Sequence, residues 1–293
     1  MHRYLRAIGF SHLTERKKLQ ELMTDIVLSS TERHYTTGSD ETLIAEFSKD
    51  FAQNIGITVC GVFDEEDKFI ADYYYPYLKG SAISSEEDVS VEQHAAKDSY
   101  AGVCDDIRLG VSLIFYLQNR IPYIKANNLE QLPVRGTTLN LSALSVQGNV
   151  MMPIVKNEIE KTKVKKATVN RQQLLAAARQ GDEDAIENLT LEDMDMYTTI
   201  SKKIHKDDVF SLVDTYFMPY GVECDQYSVL GEITHCKQET NYLTGENIYI
   251  MGISCNELEF DLCINQEDLY GEPEVGRRFK GTVWMQGYIN FPG

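Results

Sequence analysis

The chain has 293 residues, 43% of them hydrophobic, and a formal net charge of -17. That length allows about two domains and a sizeable core. The acidity opposes non-specific attraction to nucleic acid or to an anionic membrane, although it leaves room for a local basic patch.

The N-terminus, "MHRYLRAIGF", has charge but no apolar run of the kind a secretory signal needs. No apolar stretch is long enough to span a bilayer, so the expected location is the cytoplasm, without membrane attachment. Six cysteines, Cys60, Cys104, Cys224, Cys236, Cys255 and Cys263, are irregularly spaced and form no CxxC. This reads as buried reduced thiols. A zinc site from Cys224, His235, Cys236 and Cys255 would lack the short paired spacing of structural zinc, and no metal or cofactor is expected.

In chain order, a helix is expected after Thr14, with Leu19, Leu22, Met23, Ile26 and Val27 on one face. A second is expected after Asp40, from the spacing of Leu43, Ile44, Phe47 and Phe51. "ITVCGVF" and "FIADYYY" then read as a hairpin about the acidic turn Asp64 to Asp67. Residues 84 to 98 read as a long loop or an extra irregular element. Further strands are "LGVSLIFYLQ", where Val111, Leu113, Phe115 and Leu117 alternate, and the pair "LNLSALSV" and "VMMPIV" around Gln147-Gly148-Asn149. The charged, weakly patterned "NEIEKTKVKKATV" marks a boundary.

The middle is helical. Asn170 caps one helix that stops at Gly181, Asp182 starts a second, and Thr190 with Asp193 starts a third. The chain then returns to short strands with interior glycines, the pattern of a small barrel. The expected class is α+β: an N-terminal antiparallel sheet with two helices (residues 1–160), a helical connector (168–211) and a C-terminal small β-barrel (212–293).

The last strand, "RRFKGTVWMQGYINF", is amphipathic by parity. Phe279, Gly281, Val283, Met285, Gly287, Ile289 and Phe291 make an apolar face. Arg278, Lys280, Trp284 and Tyr288 stand on the other, and are the candidate binding surface. Two explanations compete. In one, the face is internal: Glu259 and Asp261 pair with Arg278 and Lys280, and Trp284 packs on the N-terminal domain. In the other it meets an outside partner. A protein or peptide fits that role better than single-stranded nucleic acid, because cations are few and the chain repels phosphate.

There is no GxGxxG, P-loop, GxSxG or HExxH. Acidic clusters read as solvated turns and helix starts. His235 and Cys236 would point to opposite faces of a strand. Tyr73, Tyr74, Tyr75 and Tyr77 either line a pocket or cover a core edge with their hydroxyls in water. The favoured function is non-catalytic binding or an adaptor role. One alternative is a hydrolase-like enzyme with carboxylates such as Glu223 or Asp225 in a pocket at the domain junction. A second is single-strand nucleic-acid binding.

The segments "LRAIGFS", "AARQGDEDAIENLTLEDMDMY", "VDTYFMPYGVECDQYSVLGEI" and "GEPEVGRRFKGTVWMQGYINF" resemble domain of unknown function 3881, from anaerobic Gram-positive bacteria, over nearly the whole chain. The resemblance implies a bacterial cytosolic protein built as one recurrent unit. It carries no activity and no site residues.

Overall fold

The structure, a computed structural model, describes residues 1–38, 42–93, 99–106, 108–109, 112–129, 136–154, 170–171, 173–178, 180–191, 194, 213–221 and 225–291. The first elements are a 3-10 helix, Arg3–Ile8, and the expected amphipathic helix, α1 (Arg16–Ser29). Leu19, Leu22 and Ile26 form the buried stripe of α1. Its cap position falls at Glu15, one residue beyond Thr14, and Glu15 pairs with Lys18 at 2.6 Å.

Four strands follow as an antiparallel meander: β1 (Glu32–Thr37), β2 (Leu43–Ala52), β3 (Ile55–Phe63) and β4 (Phe69–Leu78). The stretch expected as a second helix is therefore β2. Its apolar residues fit both periods because both faces of the strand are covered. Ala45, Phe47 and Phe51 are buried, and so are Glu46 and Ser48 between them. Ser48 shares a 2.8 Å hydroxyl contact with Thr58 on β3. The hairpin around Asp64 to Asp67 forms as expected, with Phe63 opposite Phe69.

Next come β5 (Val89–Gln93), β6 (Tyr100–Cys104), β7 (Leu113–Leu117), α2 (Arg120–Asn128) and β8 (Thr138–Met151). β5 lies within the segment expected as a loop. It pairs along its length with β6, so backbone pairing rather than side-chain pattern defines it. β8 is one strand, not two. Gly148 is no turn: it faces Gly281, and a Cβ on it would come within 2.3 Å of the Phe279 ring.

In the connector, residues 173–178 and 183–191 are helical. Gly181 has φ +86°, the left-handed conformation of a helix stop, and Asp182 Oδ1 accepts the Ala185 amide at 3.1 Å as a cap does. Most of the third expected helix lies outside the described residues.

The remaining strands are β9 (Tyr216–Pro219), β10 (Gln226–Thr240), β11 (Asn247–Cys255), β12 (Leu258–Asn265), β13 (Leu269–Tyr270) and β14 (Arg278–Asn290). β8, β12, β11, β10 and β14 pair in that order, and β14 returns to β8, closing a five-stranded barrel. One stave, β8, thus comes from before the connector. Gly281 and Gly148 meet where β14 and β8 slip register, and Phe279 fills the space above both. The far end of β14 also pairs with β7, extending the sheet through β6 to β5.

Two cores result. Phe279, Val283, Met285 and Ile289 join Leu141, Met251 and Leu262 inside the barrel. Outside it, Leu144, Ile250, Cys263 and Trp284 pack against the 3-10 helix, α1 and the four-stranded sheet. No helix among the described residues is long and apolar enough to cross a membrane.

Candidate binding surface

Parity along β14 divides inside from outside. Phe279, Val283, Met285 and Ile289 point into the barrel core, and Trp284 joins the outer core. Most of this outer face is covered by the N-terminal layer. Trp284 is 5% exposed. Its ring stacks on Tyr4 at 5.2 Å between centroids, with His2 at 4.8 Å and Tyr116 at 5.2 Å. The indole Nε1 donates to Asp225 Oδ2 at 2.7 Å. Two residues on, Gln286 is fully buried. It donates to the Pro76 carbonyl at 2.8 Å and accepts from Gln118 Nε2 at 2.9 Å. The middle of the strand is therefore a seam between layers.

The four candidate residues do not share one exposed face. Arg278 is buried, and donates to the carbonyls of Met152 at 3.1 Å and Val213 at 3.0 Å. Lys280 is half-buried, and Tyr288 is 39% exposed at the other end of the strand. The internal explanation describes Trp284, but not through the expected charge pairs. β12 is not a neighbour of β14, so Glu259 and Asp261 do not meet Arg278 and Lys280 across paired strands. Asp261 instead accepts the Ser81 amide at 2.6 Å and lies 3.3 Å from His235 Nε2.

The tyrosines of β4 pack on the outer core, as residues covering a core edge do, but their hydroxyls have partners within the chain. Tyr75 donates to the Gln118 carbonyl at 2.8 Å, Tyr77 to Asp50 Oδ1 at 2.5 Å, and the Tyr74 hydroxyl accepts the His2 amide at 2.9 Å. Their hydroxyls bind neighbouring elements of the chain rather than a pocket or water. The seam could be anticipated from the parity of β14. That His2 and Tyr4 cover it could not, because they lie at the opposite end of the chain.

The buried carboxylates are also engaged. Arg120 Nε donates to Glu46 Oε1 at 2.6 Å, with both side chains at most 5% exposed. Burial pushes the Glu46 carboxyl up, against the pull of Arg120. Asp106 accepts from Ser85 Oγ at 2.7 Å and from Arg108 Nε at 2.8 Å. Against the effect of burial, these bonds hold the Asp106 carboxyl below its ordinary value. Burial pushes the thiols of Cys104 up to about 11 and Cys255 up to about 12, which opposes a nucleophilic role. Among the described residues, no group of His, Cys, Asp or Glu side chains is gathered to hold a metal. Cys224 and Glu223 lie outside the described residues.

Residues 5–287 match the family described as "Domain of unknown function, E. rectale Gene description (DUF3881)". The chain belongs to this family. No curated protein and no solved structure matches it. The DUF3881 span starts within the 3-10 helix and ends near the end of β14, so it takes in the outer layer, the connector and the barrel together. Asp225, Tyr116 and Trp284, which build the seam, all lie inside it.

Where the DUF3881 layers meet at the other side, a groove of about 450 Å³ opens between α1 and the turn from β10 to β11. Phe10, Leu13, Leu22 and Leu243 give it an apolar lining, and Glu21, Asp25 and Glu246 are its carboxylates. Asp25 pairs with Lys49 at 2.7 Å, and Glu246 accepts the Ser11 amide at 3.0 Å and Asn265 Nδ2 at 2.7 Å. Glu21 and Asp25 are more than half exposed.

Proposed function

We propose that this DUF3881 chain is a non-catalytic binding or adaptor protein for a protein or peptide partner, working in the bacterial cytoplasm. The observation that carries this reading is how the polar interior is used. Glu46, Asp106 and Asp225 each hold a structural partner: Arg120, Arg108 and the Trp284 indole. A general acid or base needs a carboxyl or imidazole free to exchange a proton with substrate. Among the described residues, the buried Glu46 and Asp106 and the half-buried Asp225 are each engaged by a partner within the chain.

On the last strand the surface available to a partner is at its ends, Lys280 and Tyr288, because Arg278 and Trp284 are covered. The same cover and the charge of -17 weigh against single-strand nucleic-acid binding. Among the described residues, the open groove between α1 and the β10–β11 turn, with Glu21 and Asp25 on it, favours the enzyme alternative.

The test is affinity purification of the tagged full chain from its native host, with mass spectrometry of co-purifying proteins and small molecules. The binding reading expects a protein in fixed ratio to the chain. A small molecule held in the groove and chemically altered on incubation would establish the enzyme instead.

A further inference from the structure

The four-stranded sheet carries a second aromatic surface, at the end that α1 does not reach. The C-terminal turn of α1 is anchored at mid-strand, where Lys49 Nζ meets Asp25 Oδ2 and Ser29 Oγ, each at 2.7 Å. On the same face beyond it, Leu43 lies opposite Phe63, and Phe63 opposite Phe69. Tyr35 stands one row away, opposite Ala45. Directly opposed residues of antiparallel strands share a face, as do residues two apart along one strand.

The rings form a connected platform. Tyr35 lies 6.3 Å from Phe63, and Phe63 lies 5.6 Å from Phe69. The buried Phe47, farther along the same face, flanks it, 5.9 Å from Tyr35 and 4.8 Å from Phe69. Gly61 makes room for Phe69, since a Cβ there would come within 2.8 Å of the ring. Leu43 remains 41% exposed and Tyr35 37%.

Beside this platform is the tip of the β3–β4 hairpin, Asp64-Glu65-Glu66-Asp67-Lys68. Asp64 Oδ1 shapes the turn by accepting the amides of Glu66 and Lys68, both at 2.9 Å. None of its carboxylates forms an ion pair with another described residue. The surface therefore joins an apolar floor to a strongly negative edge.

We propose that this platform docks a basic segment of a protein partner, with apolar side chains on Tyr35, Leu43, Phe63 and Phe69 and lysine or arginine side chains against Asp64 to Asp67. The assignment rests on the binding reading above and names the partner's chemistry. Charge complementarity selects a cationic segment, and the exposed Tyr35 ring with the half-buried Phe63 and Phe69 rings adds cation–π contact to its lysines and arginines. The same carboxylates repel phosphate, which rules against nucleic acid and anionic lipid as occupants. A second copy of the chain would set two acidic tips against each other.

The experiment uses the full chain and two labelled probes: a short peptide of alternating lysine and leucine, and its glutamate–leucine counterpart. Fluorescence anisotropy should report binding of the basic peptide alone, weakening as salt rises. Tyr35→Ser with Leu43→Ser should weaken it about tenfold, the loss expected for removing an interface anchor. Glu65→Gln with Glu66→Gln should do the same. Glu86→Gln with Glu87→Gln, an equal charge change elsewhere, should leave binding unchanged. Circular dichroism would confirm that each variant folds.

Binding that survives the platform and tip variants, or that falls equally with the Glu86 and Glu87 changes, overturns the assignment, as does absence of binding to the basic peptide. So does a dimer in sedimentation that the platform variant dissociates. If a native partner is captured and the Tyr35→Ser, Leu43→Ser chain keeps it, this surface fails while the binding reading stands. If no partner is captured at all, that reading fails first.

Discussion

The Trp284 indole and the Asp225 carboxylate are joined by a 2.7 Å hydrogen bond that links β14 to the residue before β10. Tyr4 stacks on the same indole. One side chain thereby ties the last strand, the start of β10 and the N-terminal 3-10 helix together. Trp284→Ala should cost about 3–5 kcal/mol, as truncation of a buried aromatic does. Asp225→Ala, which deprives the indole N–H of this acceptor, should cost about 1–3 kcal/mol. Urea unfolding of both variants checks the order of the two effects.

Arg120 and Glu46 form the most enclosed charge pair among the described ion pairs. Losing one member leaves a buried charge without its counter-ion. Arg120→Met should therefore cost about 3–5 kcal/mol, and adding Glu46→Leu should recover much of that loss. A double-mutant cycle in urea measures the coupling. Equal, additive losses would contradict it.

Asp106 makes the stability of the chain sensitive to acid. Arg108 and Ser85 hold its folded-state carboxyl below its ordinary value. A carboxyl lowered on folding contributes stability above its unfolded value of about 3.9, and loses it as pH falls through the folded value. The wild-type chain should thus lose more stability on acidification than Asp106→Asn. Paired urea melts from neutral pH down to about pH 3 check the difference, since the other carboxylates are common to both chains.

The thiols predict a chemical pattern. Burial pushes Cys60, Cys104, Cys255 and Cys263 up, and all four are buried. Iodoacetamide at neutral pH should spare them in the folded chain and label them in urea. Cys236, only partly buried, should react sooner. Peptide mapping by mass spectrometry follows each residue. Rapid labelling of Cys104 in the folded chain would contradict the account.

The inward face of β14 was legible because its alternation continues from Phe279 to Ile289, apart from the slip near Gly281. Short strands with interior glycines indicate a small barrel, closed or half-closed, and the pairing of β14 with β8 closes it. β2 is not legible: Leu43, Ile44, Phe47 and Phe51 fit a helix, and the burial of Glu46 against Arg120 and of Ser48 against Thr58 explains why both sides of the strand are covered. The turn composition of Gln147-Gly148-Asn149 divides β8 in two on sequence pattern alone. The need for Gly148 arises from Phe279 across the barrel, a long-range contact that no local pattern carries. The distal platform had a partial signal, since Phe63 and Phe69 flank the acidic turn symmetrically. Placing Tyr35 and Leu43 beside them requires strand register.

Trp284 is the chain's one tryptophan, so its fluorescence reports the seam alone. The account predicts blue-shifted emission in the folded chain, weak quenching by acrylamide, and a red shift with full quenching on unfolding in urea. Emission already at the wavelength of a solvated indole, with acrylamide access equal to that of the unfolded chain, would contradict it. In that case the outer face of the last strand would be open to a partner.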